Sequence, residues 1–158
     1  MAEILEEDKR EIGKLVQQAK KTNNPEFSLQ AAIKAKDYAD LVYEAFEKLT
    51  GEFTKYKDIA GKHYYKYAKA SDYDYAYSMA MLVYLQGGNK KKAKKALKKL
   101  NKRSNNQRID PAVLEILVDV LNDDFLKVKR KLKKNKYDID DNIEPDIEKL
   151  LKYEEARS

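Results

Sequence analysis

The chain contains no cysteine and no tryptophan, and only five glycines and three prolines interrupt its 158 residues. Without cysteine there is no disulfide, no thiolate metal site and no thiol nucleophile. That usage suits a reducing compartment, so a cytoplasmic protein is expected. So few glycines and prolines do not supply the many tight turns of an all-β fold. His63 is the sole histidine, which removes histidine metal sets and two-histidine acid–base pairs. No apolar run reaches the roughly 20 residues needed to cross a bilayer. The opening Met-Ala-Glu-Ile-Leu-Glu-Glu-Asp is acidic and amphipathic, unlike a signal peptide.

Hydrophobic residues make up 42% of the chain and charged residues 38%. That is too apolar for disorder and more highly charged than a typical globular domain. One domain over residues 1–158 is expected, burying about 70% of the surface its unfolded chain exposes. Apolar spacing is helical nearly throughout. Ile4, Leu5, Ile12, Leu15, Val16 and Ala19 form a stripe over about residues 3–22. Asn24-Pro25 caps a second helix carrying Leu29, Ala32, Ile33, Tyr38, Leu41, Val42 and Phe46, with Gly51 as its expected left-handed stop.

A third helix carries Phe53, Tyr56, Ile59, Ala60, Tyr64, Tyr67 and Ala68. Ser71 or Asp72 is the expected cap of a fourth, which ends at Gly87-Gly88. The fifth shows Ala93, Ala96, Leu97 and Leu100 among lysines, and Arg103 to Arg108 reads as a loop. Asp110-Pro111 opens a mostly apolar sixth helix, expected to be central, and Asp123 or Asp124 opens a seventh. After a turn at Asp138 to Asn142, Pro145 opens the last, within an acidic C-terminal segment 138–158. About eight helices joined by short links make an all-α fold, either stacked antiparallel hairpins or a closed bundle.

The helix pairs run about 30 to 40 residues each, the period of helical-hairpin repeats. Small residues recur where paired helices would touch, with an aromatic four positions on: Ala39 with Tyr43, Ala60 with Tyr64, Ala80 with Tyr84. On these residues the chain resembles the tetratricopeptide-like superfamily. Within it, the run Ala60-Gly61-Lys62-His63-Tyr64-Tyr65-Lys66-Tyr67-Ala68-Lys69-Ala70 is similar to a helix pattern of the soluble NSF-attachment proteins (SNAPs). Tyr75 to Leu100, with Ala76, Ala80, Leu85, Gly88, Ala93 and Ala96, is similar to a hairpin nearer their C-terminus. The likeness covers roughly residues 36–153 and matches the C-terminal half of that family. It implies a right-handed superhelix of hairpins and an adaptor role. Those proteins engage an AAA ATPase through a C-terminal leucine, and Tyr153 to Ser158 carries none.

The net charge of +6 is unevenly spread. Residues 75–109 hold ten Lys/Arg and no acid, while residues 137–158 hold eight acids against three bases. In the fifth helix Lys91, Lys94, Lys95, Lys98 and Lys102 surround the apolar stripe. In the seventh, Lys127, Arg130 and Lys134 do the same. Lysine runs of this kind keep helices solvated. Side by side, the two helices would also make one positive surface for an acidic protein or peptide, for nucleic acid, or for an anionic membrane. Lysine outnumbers arginine, which disfavours sequence-specific base readout. The acidic C-terminal segment is a candidate to fold back onto this basic face. Eight of the twelve tyrosines lie between Tyr56 and Tyr84. Most are expected in the core with their hydroxyls at its rim, leaving Tyr65, Tyr73 and Tyr75 as surface anchors.

Chemistry-bearing motifs are few. His63, between Lys62 and Tyr64, reads as a surface or rim histidine. Asp138 to Asn142 has the acidic spacing of a calcium loop without its glycine or its later glutamate. Gly87-Gly88 lacks the Gly-Lys-Ser/Thr of a phosphate-binding loop. The expectation is a non-catalytic scaffold or adaptor with no cofactor or metal. The alternative is a sequence-non-specific nucleic-acid binder using the lysine-rich helices.

Overall fold

The computed structural model describes residues 2–102, 109–134 and 143–157. The loop expected at 103–108 and the turn at 138–142 lie outside the described residues. Eight helices and no strand are present among those described: α1 Ala2–Lys21, α2 Glu26–Phe46, α3 Gly51–Ser71, α4 Asp74–Gln86, α5 Lys90–Asn101, α6 Pro111–Leu121, α7 Phe125–Lys134 and α8 Glu144–Arg157. The fold is all-α, as the apolar spacing requires. No described helix is long and apolar enough to cross a membrane.

Capping chemistry sets most of the boundaries. The Asn24 Oδ1 accepts from the Glu26 amide at 3.0 Å, and the Asp110 side chain accepts from Ala112 at 2.8 Å with Pro111 in the first turn. At the end of α4, Gly88 takes φ +80°, the Asn89 amide reaches back to the Tyr84 carbonyl at 2.8 Å, and the Gly88 amide reaches Leu85. This is a Schellman turn, and left-handed backbone is why glycine stands there. Asn89 then caps α5 by accepting from Lys92. Asp124 opens α7 in the same way, accepting from Lys127.

Two expected boundaries differ. Gly51 does not end α2. The left-handed stop falls on Glu47 at φ 52°, and Thr50 is extended and accepts from the Phe53 amide at 3.1 Å, so Gly51 is the first residue of α3. Ser71 and Asp72 close α3, with Asp72 left-handed at φ 55° and the Ser71 hydroxyl donating to the Tyr67 carbonyl, and the N-cap position of α4 falls on Tyr73. A side-chain oxygen serves whichever helix end its backbone angle suits.

From α1 to α5 each helix packs on the next, and links of two to four residues force neighbours to run antiparallel. The centre of the molecule is α4, not α6. Of its 13 residues only Tyr75 is not buried, and it packs against α3, α5, α6 and α8. A helix that is apolar or small on every side has no face to offer water. Glycine permits the closest of these approaches: a Cβ on Gly61 of α3 would stand 2.5 Å from the Tyr84 ring of α4. Ile4, Ile33 and Phe46, counted in the apolar stripes, are exposed.

The last helix returns across the first half of the chain. Ile147, Leu150 and Tyr153 are buried, and the Tyr153 ring meets Tyr43 at 4.9 Å and Phe53 at 4.7 Å. Beneath it lies a network of buried charge. The Lys57 Nζ, fully buried, donates to Asp40 Oδ1 at 2.7 Å and to Gln86 Oε1 at 2.6 Å, while Gln86 Nε2 donates to the Asp146 carbonyl. Lys149 and the Tyr153 hydroxyl also donate to Asp40. Arg157 donates to the Leu85 and Gln86 carbonyls, covering the C-terminal end of α4. The described part of the C-terminal segment, residues 143–157, therefore folds onto α2, α3 and α4, while its Glu154 and Glu155 line a pocket with Phe125 and Lys129 of α7.

Candidate functional site

Helix α5 carries the strongest uncompensated charge. Ala93, Ala96 and Leu100 are buried against α4, which leaves Lys91, Lys94, Lys95, Lys98 and Lys102 exposed around the rest of the cylinder. Among the described residues none of these five pairs with a carboxylate. Lys91, Lys94 or Lys95, Lys98 and Lys102 recur at helical spacing along a stripe about 16 Å long. At the first turn Lys90 does pair, with Asp123.

Two of the lysines are held over tyrosine rings. Lys92 Nζ sits 5.9 Å from the Tyr84 ring centroid, and Lys95 Nζ sits 5.4 Å from that of Tyr65. Such contacts position an ammonium while leaving its charge unneutralised. Together with Lys62 of α3, these four residues line a cleft of about 130 Å³ between α3 and α5. Tyr84 is its buried floor, and burial pushes that phenol up to about 12, so it stays protonated. The nearby Asp58 carboxylate, one turn before Lys62 on α3, accepts from Asn89 Nδ2 at 3.3 Å.

The structure thus joins Lys95 and Tyr65, and it adds Lys62, Tyr84 and Lys92. Lys92 belongs to the α5 lysine run, but Lys62 and Tyr84 escape a reading by helix because no sequence spacing relates α3 and α4 to α5. Tyr65 is half-buried and also meets Tyr77 edge-on at 5.1 Å. Tyr73 and Tyr75 lie apart from the cleft, at the α3–α4 turn, stacked on each other at 5.8 Å. Tyr73 is 37% exposed, whereas Tyr75 is half-buried against the core.

The basic residues of α7 do not extend the α5 stripe. Helix α6 packs against both helices, and a groove lined by Leu97, Pro111, Leu114, Val118, Asp119 and Lys131 runs between them. Carboxylates stand along this boundary: Lys131 pairs with Asp119 at 2.6 Å and Glu115 at 3.6 Å, and Lys127 with Asp124 at 3.4 Å. Arg130 and Lys134 are exposed without an ion pair among the described residues.

His63 is not at the surface. It is 3% exposed, and its Nδ1 has no hydrogen-bond partner among the described residues. Burial, with help from Lys66, Lys62 and Lys20, pushes it down to about 4, so the imidazole is neutral near pH 7. Its neighbours in sequence are lysines and a tyrosine, which is why it reads as a rim residue, but its own helical position faces inward. Comparison of the chain with protein-family models, with curated proteins and with solved structures found no match to any of them.

Proposed function

We propose that the protein is a non-catalytic interaction module that holds an acidic protein or peptide segment along the lysine face of α5. The observation that carries this reading is the set of exposed α5 lysines without carboxylate partners, flanked by a cleft whose ammonium groups rest on tyrosines. Charges left unneutralised on a rigid helix steer an oppositely charged partner and set its register. The packing of each helix from α1 to α5 on the next, with alanines at the contacts, suits a tetratricopeptide-like adaptor. A cysteine-free chain suits a cytoplasmic setting.

Fluorescence anisotropy with a labelled glutamate-rich peptide at low salt tests the proposal. Binding should weaken at least about tenfold in K91E/K98E and much less in K127E/K134E, because α7 is separated from the stripe and partly neutralised by its own acids. Equal binding by the wild type and K91E/K98E would remove α5 from the account.

A second reading is a nucleic-acid binder, favoured by the ten bases and no acid of residues 75–109. The aromatic geometry suits it less. Tyr65 and Tyr84 are capped by lysines and packed on the core, and Tyr73 is stacked on Tyr75, so none of these described rings is fully open for base stacking. This reading requires affinity for a single-stranded oligonucleotide that falls steeply with salt.

A further inference from the structure

We infer that the cleft between α3 and α5 is an oxyanion subsite that takes a phosphomonoester carried on the acidic segment proposed above. The inference rests on that reading and adds to it the chemical class of group the cleft receives. Lys62 approaches from α3, and Lys92 and Lys95 approach from successive turns of α5. All three are exposed at their tips, and among the described residues none is matched to a carboxylate.

The number and shape of the donors select the ligand. Among the described residues no arginine lines the cleft, so none of them offers the planar fork that grips a carboxylate through two parallel bonds. Three separate ammonium groups are point charges arriving from different directions. A phosphomonoester offers three acceptor oxygens and a charge near −2 at neutral pH, which satisfies three such donors together. A single carboxylate engages fewer of them and brings half the charge.

The floor of the cleft is fixed by backbone. Tyr84 is 4% exposed, and its ring lies against Gly61, where any Cβ would collide with it. Tyr65 is wedged against Tyr77. The α3–α4–α5 packing therefore fixes the rings over which the Lys92 and Lys95 ammonium groups sit, at 5.9 and 5.4 Å. Asp58, the acid one turn away on α3, is engaged by Asn89 and does not fill the site.

The decisive experiment measures the full chain against three fluorescein-labelled probes of equal length at pH 7.5 and fixed ionic strength. These are a glutamate-rich peptide with one central serine, the same peptide with phosphoserine, and a single-stranded DNA. Phosphorylation should tighten wild-type binding about tenfold, the effect of one well-placed charge-assisted contact set. That gain should vanish in K62Q/K95Q and in each single variant be reduced. In K91Q/K98Q both peptides should weaken while the gain persists. Thermal unfolding of each variant, all altered at exposed side chains, should match the wild type. Equal affinity for the two peptides in the wild type, or a phosphate gain that survives in K62Q/K95Q, would overturn the subsite while leaving the acidic-partner reading intact. DNA binding that is tightest and depends on the same two lysines would assign the cleft to a nucleic-acid backbone and overturn the inference. No binding of either peptide would overturn both proposals at once.

Discussion

Tyr153 of α8 donates its hydroxyl proton to Asp40 of α2 at 2.6 Å, across 113 residues of sequence. The same carboxylate takes the buried Lys57 ammonium at 2.7 Å and Lys149 at 3.3 Å. Burial pushes the Asp40 carboxyl up, but Lys57, the Tyr153 hydroxyl and Lys149 together hold it below the ordinary value. Burial brings Lys57 down to about 8, so both members of the pair are charged at pH 7. In a linear stack each repeat touches only its neighbours. Here α8 ties the C-terminal end to α2, α3 and α4, and α4 is enclosed as a result.

Removing Asp40 and Lys57 together should cost less than the sum of removing each alone. Asp40→Ala strands the Lys57 ammonium and the Tyr153 hydroxyl in the interior, a loss of about 3–5 kcal/mol by analogy with other broken buried pairs. The double variant D40A/K57M leaves no orphaned charge and should be destabilised by less than the sum of the single changes. Urea unfolding of the four proteins measures this directly. Strict additivity would show that Asp40 and Lys57 act independently.

Loss of α8 should abolish cooperative folding. A chain ending before Ile143 exposes the surfaces covered by Ile147, Leu150 and Tyr153, each worth about 1.5–3 kcal/mol when buried. It also strips two donors from Asp40 and the Arg157 cover from the end of α4. The sum reaches the whole stability of a typical domain. Thermal circular dichroism of the truncated chain should show a broad or absent transition. A sharp transition near that of the full chain would mean that α8 is a dispensable appendage.

Gly61→Ala should destabilise the protein and impair the cleft together. The new Cβ meets three Tyr84 ring atoms within 2.6 Å, so the ring or helix α3 must move. Overpacking of that kind costs about 1–3 kcal/mol. The control is Gly13→Ala, whose Cβ has open space and removes a helix-interior glycine, so it should be neutral or slightly stabilising. Denaturant midpoints of both variants test the contrast.

His63 should make stability fall in mild acid. Its folded-state value of about 4 lies below the unfolded value near 6.5, so the unfolded chain takes up the proton first. Stability is therefore lost as pH drops from 6.5 towards 4, by about 2 kcal/mol between pH 7 and pH 5. The carboxylates Glu11, Asp40 and Glu52 are held below their ordinary values and contribute their loss at lower pH. Urea midpoints of the wild type and His63→Leu at the two pH values isolate the histidine. The variant should lose less than half as much over that interval.

Much of the helical framework was legible because caps and stops leave local marks. Asn24-Pro25, Gly88 and Asp110-Pro111 act within a few residues of themselves, and the backbone follows them. Gly51, Ser71 and Asp72 misled because a residue suited to ending one helix also suits beginning another, and only tertiary packing selects. The buried Lys57, Asp40 and Gln86 left no trace, since polar side chains at core positions interrupt the apolar period that marks a helix face. Half of the site was visible as the lysines of α5. The other half, Lys62, Tyr84 and the lysine–tyrosine contacts, depends on α3 lying beside α5 around α4.

The central claim is that the α5 face binds an acidic segment, and a residue-resolved titration tests it most directly. Backbone amide resonances of the full chain, followed while a glutamate-rich phosphopeptide is added, should shift along residues 90–102 and around Lys62, Tyr65 and Tyr84. Those of α1 and α7 should stay in place. Shifts confined to α1 or α7, or no shift at low salt and millimolar peptide, would contradict the account.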